Sequence, residues 1–237
     1  MMTTETKAKL PIVLAMTGAS GAIFGVRLLQ SLSSSGNDVH LTISPSGAAV
    51  IRQELDLNLD LRSPDLGSLL RFQPAWSPAK SPANSNSPHS VANPAASSAA
   101  MIDQSLSRIH YHRYDDYFTP IASGSFRTQG MVVCPCSGTT LSGIAHASAS
   151  NLIQRAAEVH LKERRRLVLV PRETPLSTLQ LENMLRVATA GAVMLPAMPG
   201  WYHGVDSIDS LVDFVVARIL DQIDVDHSLI QRWTEGR

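Results

Sequence analysis

A chain of 237 residues with a hydrophobic fraction of 44% can bury one sizeable core. Its 20 Lys and Arg residues equal its 20 Asp and Glu residues, which argues against bulk nucleic-acid binding, because that needs a basic surface to displace counterions. Residues 1–9 lack the apolar segment of a secretion signal and no apolar run approaches a membrane span, so a cytoplasmic protein working away from membranes is expected.

Residues 10–16 (LPIVLAM) form a continuous apolar run, the pattern of a strand buried on both faces. The small-residue turn Thr17-Gly18-Ala19-Ser20-Gly21 follows. A helical pattern then covers 22–33, with Ile23, Val26, Leu29 and Leu32 on related faces. Residues 34–38 break it, 39–44 (VHLTIS) alternate as a second strand, and 46–55 return to helix. Such an opening predicts a parallel, doubly wound sheet.

Between residues 62 and 107 Ser, Pro, Asn and Ala dominate, and 74–100 have almost no periodicity. This composition buries too little apolar surface to offset its ordering entropy. A disordered surface insertion in a single domain of residues 1–237 is expected, with room for a short helix in its Leu-rich start. Order resumes near Ile109. Residues 130–135 (GMVVCP) read as a buried strand, followed by the turn Ser137-Gly138-Thr139-Thr140 and helices over 141–147 and 151–162. A strand over 167–171, a helix over 178–189, a short strand over 192–195 and a closing helix over 208–223 complete a Rossmann-like, three-layer α/β sandwich.

In an open parallel sheet, ligands bind outside the carboxyl ends of the strands. Four such ends carry small or polar residues: Thr17 to Gly21, Ser44-Pro45-Ser46, Ser137 to Thr140, and Arg172-Glu173. Each precedes a predicted helix, whose first N–H groups suit phosphate and other anions. Gly18, Gly21 and Gly25 spell G-x-x-G-x-x-x-G, neither the dinucleotide fingerprint nor a P-loop. The turn is therefore either purely structural or the cradle of a mononucleotide such as a flavin.

Arg155 and Lys162, seven positions apart, share a helix face. Arg172 follows a strand, and Arg218 lies in the last helix. Such side chains either solubilise the surface or gather round an anion. The loop Pro199-Gly200-Trp201-Tyr202-His203 places two adjacent aromatic residues where they can pack on a ring system or staple a surface. Cys134 and Cys136, separated by one proline, are too close for an unstrained disulfide and are expected to be reduced thiols. His110 and His112 can share a strand face, but nothing suitably placed completes a zinc set, so no metal is expected. No G-x-S-x-G elbow is present, which speaks against a serine hydrolase.

The blocks MTGASGAIFGVRLL, CPCSGTTLSGIA, NLIQRAAEVHLKERRRLVLVPRE, LENML and MPGWYH, in that order, resemble the UbiX/Pad flavin prenyltransferases. The resemblance spans about residues 11–54 and 117–233. It implies a flavodoxin-like fold and transfer of a dimethylallyl group from dimethylallyl phosphate to N5 and C6 of reduced FMN. It also implies prenylated FMN as the product, used by UbiD-type decarboxylases, a metal-independent reaction, and a homododecamer.

Carried onto this chain, the resemblance implies that Gly18, Ala19, Ser20, Ser44, Ser137, Gly138, Thr139, Thr140 and Arg172 contact FMN, with Ser20 near the reacting N5. Tyr202 and Arg218 would hold the donor phosphate, with Arg155 and Lys162 completing that pocket from the same or a neighbouring subunit. Glu54 and Glu173 would serve as acid/base or phosphate-network groups, and Trp201 would offer a π-face to the allyl fragment. A cysteine decarboxylase of the phosphopantothenoylcysteine type shares the implied fold, but Ser44-Pro45-Ser46-Gly47 lacks its His and Pro171-Arg172-Glu173 does not lead into Met-Asn. A non-catalytic FMN carrier is the other alternative, and it would need no second phosphate pocket.

Overall fold

The computed structural model describes residues 9–77, 99–202 and 204–232. Six strands form one parallel sheet: β1 (Ile12–Met16), β2 (Val39–Ile43), β3 (Ile109–His112), β4 (Gly130–Cys136), β5 (Arg166–Pro171) and β6 (Val193–Met194), in the order β3-β2-β1-β4-β5-β6. Setting aside edge strand β3, the remaining five follow the flavodoxin-like order, and the doubly wound expectation holds. Every residue of β1, β2 and β4 is buried; this explains the unbroken apolar runs of β1 and β4, whereas β2, read as alternating, buries His40 and Thr42 as well.

Alternation along each strand feeds two cores. Ile12, Leu14 and Met16 face a layer made of α1 (Ala22–Ser34), α2 (Pro45–Leu55), α3 (Leu66–Arg71) and α8 (Ile208–Gln222). Val13 and Ala15 face the opposite layer of α5 (Gly138–Ala145), α6 (Leu152–Lys162) and α7 (Thr178–Thr189). Gly25 permits the tightest approach between layers, because a Cβ there would collide with the Cys134 carbonyl oxygen of β4. No helix among the described residues is long and apolar enough to cross a membrane.

Within the stretch expected to be a disordered insertion, the Leu-rich start holds the short helix for which room was left, and the described residues that flank it to 77 and from 99 to 107 are ordered as well. Helix α3 buries Leu69 completely, and the Gln30 side chain donates to the carbonyls of Leu69 and Phe72. Trp76 and Ser77 both donate to the Asp209 carboxylate at the start of α8. Helix α4 (Ala99–Leu106) leads directly into β3. Three leucines at helical spacing suffice to dock α3. The rest of that expectation, residues 78–98, lies outside the described residues.

His110 and His112 do share one face of β3, as their spacing suggested. They meet His40 of β2, whose ring lies 4.8 and 5.0 Å from theirs and whose Nδ1 is 2.7 Å from His112 Nε2. Burial, and then the neighbouring His112 and His110, push His40 down to about 4 against the opposing pull of Asp38. Both cysteines are buried and unbridged, and burial pushes the Cys136 thiol up to about 12.

Candidate functional site

The chain crosses from β1 through α1 towards one edge of the sheet, and from β4 through α5 and α6 towards the other. The carboxyl ends of β1 and β4 therefore border the crevice where such folds take ligands. Thr17 pins the two ends together: its hydroxyl donates to the Pro135 carbonyl at 2.7 Å and accepts from the Ser137 N–H at 2.8 Å. One side chain thus aligns the glycine turn with the Ser137 turn.

Both serines proposed at strand ends are helix N-caps. Ser44 Oγ accepts from the Gly47 N–H at 2.9 Å and lies 3.1 Å from Ser46 Oγ. Ser137 Oγ accepts from the Thr140 N–H at 3.3 Å and meets Thr140 Oγ1 at 3.0 Å. A cap leaves the remaining first-turn amides of its helix without intrahelical partners, so Gly138 and Thr139 at the start of α5 present N–H groups at the crevice. Gly18 lets the β1 turn lie against α2, since a Cβ there would sit 2.5 Å from Ser46 Cβ.

The anion site expected on α1 is filled by the protein itself. Glu54, on α2, accepts from the Gly21 N–H at 2.9 and 3.1 Å and from the Ala22 N–H at 2.8 Å. A carboxylate at the positive end of a helix dipole is favourable, and it leaves a second anion no room on those two amides. With Glu54 on the Gly21 and Ala22 amides, the turn from Thr17 to Gly21 borders the crevice as a wall, and the start of α5 keeps open amides. Gly21 adopts φ 103° as the α1 N-cap, a left-handed conformation that suits glycine.

Arg172 reaches back from the end of β5 and donates from Nε to the Ser20 carbonyl at 3.1 Å. It thereby brings β5 to the glycine turn, using one of its five N–H donors. Beside it a cleft of about 60 Å³ is lined by Arg172, Glu173, Leu176, Met184 and Met198 among others. That is well below the ~300–1,000 Å³ typical of ligand pockets. The Glu173 carboxylate accepts from the Thr174 N–H.

Trp201 and Tyr202 are 71% and 73% exposed, and the Tyr202 ring meets the Phe214 ring of α8 edge-on at 5.8 Å. The aromatic loop therefore joins the start of α8 near the carboxyl ends of the strands. The basic residues are spread differently. Arg155, in the first turn of α6, donates to the Ala122 carbonyl at 3.3 Å. Lys162, in the last turn of α6, pairs with Glu163 just before β5 begins. Arg218 lies in the last turns of α8 and pairs with Asp221 at 3.0 Å; Ile223, at the end of that helix, packs at Gly130, where β4 starts. One chain thus leaves Lys162 and Arg218 towards the amino ends of the strands, and does not gather them with Tyr202 and Arg172. Of the two arrangements left open for Arg155 and Lys162, this geometry favours the one in which neighbouring subunits contribute to the pocket.

A family model described as Flavoprotein matches residues 1–220. The flavin prenyltransferase UbiX of Halalkalibacterium halodurans is 42% identical over 222 residues, spanning 94% of this chain and 92% of that protein. The chain belongs to the UbiX flavin prenyltransferase family. Among solved structures, AnUbiX (PadA1) in complex with FMN and dimethylallyl pyrophosphate is 37% identical with a TM-score of 0.75, over 97% of this chain and 100% of that one. A dodecameric FMN-dependent UbiX-like decarboxylase from Escherichia coli O157:H7 is 36% identical with a TM-score of 0.71, over 95% of this chain and 100% of that one.

In this UbiX-family chain, sequence reasoning missed Thr17 as the link between β1 and β4, Ser46 as the seat of Gly18, and Asp221 as the partner of Arg218. Only the last left a trace, an Arg and an Asp three positions apart on one helix. The other two depend on contacts between strands and helices distant in sequence.

Proposed function

We propose that this chain transfers the dimethylallyl group of dimethylallyl phosphate to N5 and C6 of reduced FMN, releasing phosphate, and that the prenylated FMN serves a UbiD-type decarboxylase. The observation that carries this reading is the convergence of the Ser44 and Ser137 caps, the Gly18 turn and Arg172 on the crevice between β1 and β4. Gly18, Ala19 and Ser20 form the wall against the flavin ring. Ser137, Gly138, Thr139 and Thr140 meet its phosphate at the start of α5, with Ser44 and Arg172 on either side.

The flavin, once reduced, supplies the electron-rich nitrogen and carbon that accept the five-carbon group. The chain has to stabilise the departing phosphate, and fixed cations do so without reorganising as charge builds up. Arg155, Lys162 and Arg218 take that task, with the Tyr202 hydroxyl as a further donor, brought together from neighbouring copies because one chain keeps them apart. A homododecamer provides such neighbours. Trp201, exposed on its loop, offers a π-face worth about 0.5–2 kcal/mol to an allyl cation. Glu173, or the released phosphate, accepts the proton displaced from the flavin, while Glu54 holds the turn that carries Ser20. Reaction and assembly take place in the cytoplasm.

Anaerobic incubation with reduced FMN and dimethylallyl phosphate tests this reading. The flavin recovered should be heavier by one C5H8 unit with no CO₂ released. An unchanged flavin, or CO₂ released from a cysteine-containing substrate, would overturn it.

A further inference from the structure

Beyond the last turn of α8 the chain folds back on itself, with the Val225 N–H donating to the Leu220 carbonyl at 3.0 Å. This return brings three donors onto Asp221. Its Oδ2 accepts from Arg218 Nη1 at 3.0 Å, and its Oδ1 accepts from His227 Nε2 at 3.1 Å and from Arg232 Nη2 at 2.8 Å. The His227 side chain is only 3% exposed, and its Nδ1 accepts from the Leu229 N–H at 3.4 Å. That bond fixes the tautomer, placing the ring hydrogen on Nε2, aimed at Asp221. No step of the proposed reaction uses this buried imidazole.

We propose that Asp221 and His227 are positioning residues for Arg218, holding its guanidinium in the orientation that meets the donor phosphate; the inference rests on the reading that Arg218 binds that phosphate. An unrestrained arginine side chain samples many rotamers, and fixing it costs entropy at the moment of binding. A carboxylate bound to Arg218 alone would also cancel its charge. Here Asp221 divides its charge among three donors, and two guanidiniums against one carboxylate leave a net positive site. Arg218 remains 48% exposed and presents five donors, of which the ion pair uses one. His227 completes the arrangement as a second donor to Oδ1, beside Arg232, which leaves Oδ2 to Arg218.

Steady-state kinetics with dimethylallyl phosphate varied at saturating reduced FMN distinguish positioning from mere stapling of the C-terminal segment. Asp221→Asn should raise the donor KM by about five- to tenfold, leaving flavin affinity unchanged. The double variant Asp221→Asn/Arg218→Ala should be no worse than Arg218→Ala alone, because Asp221 acts through Arg218. His227→Ala should shift the donor KM in the same direction, and His227→Gln, which keeps an N–H donor, should restore most of it; these variants decide the matter if Asp221→Asn fails to fold. Additive effects of Asp221→Asn and Arg218→Ala, or a fall in melting temperature with the donor KM unmoved, would overturn the positioning role alone. A donor KM unaffected by Arg218→Ala would overturn the Arg218 reading and this inference with it.

Discussion

Glu54 shows how a single side chain redirects the chemistry of a turn. Read along the chain, Thr17 to Gly21 is an anion loop; folded, its amides at Gly21 and Ala22 hold the Glu54 carboxylate. Replacing Glu54 with Ala removes an acceptor and a favourable charge at a helix N-terminus. It should cost about 1–2 kcal/mol in urea denaturation, and it should slow prenyl transfer because Ser20 is no longer held. Glu54→Gln keeps an oxygen acceptor and should lose less in both measurements. Equal stability of the three proteins would contradict the capping role. At this scale the sequence is informative about residue type and silent about partner: the serines at Ser44 and Ser137 announce caps by preceding their helices, whereas Glu54 sits 33 positions from Gly21, and nothing local links them.

The elements were readable wherever one periodicity dominated. The buried strands and the amphipathic helices α1, α6 and α8 follow directly from their apolar spacing. The start of α5 at Gly138 was obscured by small residues with weak helical preference. Helix α3 was legible as a short helix from its leucines, but not its docking into the core, where Leu69 is wholly buried. Leu69→Ala should therefore cost about 2–5 kcal/mol, as core truncations do; a change under about 0.5 kcal/mol would mean that α3 does not belong to the core.

Strand β2 and helix α6 carry a further consequence. His40 and His160 are both pushed down to about 4, chiefly by burial. His160 donates from Nδ1 to the Ala156 carbonyl and accepts from the Thr128 hydroxyl at Nε2. The fold holds both rings neutral, whereas the unfolded chain protonates them near 6.5. Their contribution is complete above about pH 6.5 and is lost as pH falls towards 4, because the unfolded state then binds more protons. The denaturation midpoint should fall through that window, and His160→Gln should make the fall shallower. A slope identical in the variant would contradict this linkage.

The whole molecule sets the glycine turn and the Ser44 and Ser137 caps at the carboxyl ends of the strands and carries Lys162 and Arg218 towards the other end of the sheet. Fold class was accessible from the alternation of strands and helices, but the separation of these cations depends on how far each lies along its own helix from the crevice. The resemblance grouped them in one pocket and left open whether one subunit or two supply it, because position along a helix relative to the crevice is not written in local sequence. If copies share the pocket, mixing Lys162→Ala protein with Tyr202→Phe protein should restore part of the activity that each lacks, through sites that receive an intact contribution from both. No recovery after verified exchange of subunits would argue that each chain acts alone.

Stopped-flow absorbance of the enzyme with reduced FMN, mixed anaerobically with saturating dimethylallyl phosphate, tests flavin prenylation most directly. A single-turnover change in the flavin spectrum, yielding stoichiometric phosphate, is the predicted result. A spectrum that stays that of reduced FMN, with no phosphate released, would contradict the account.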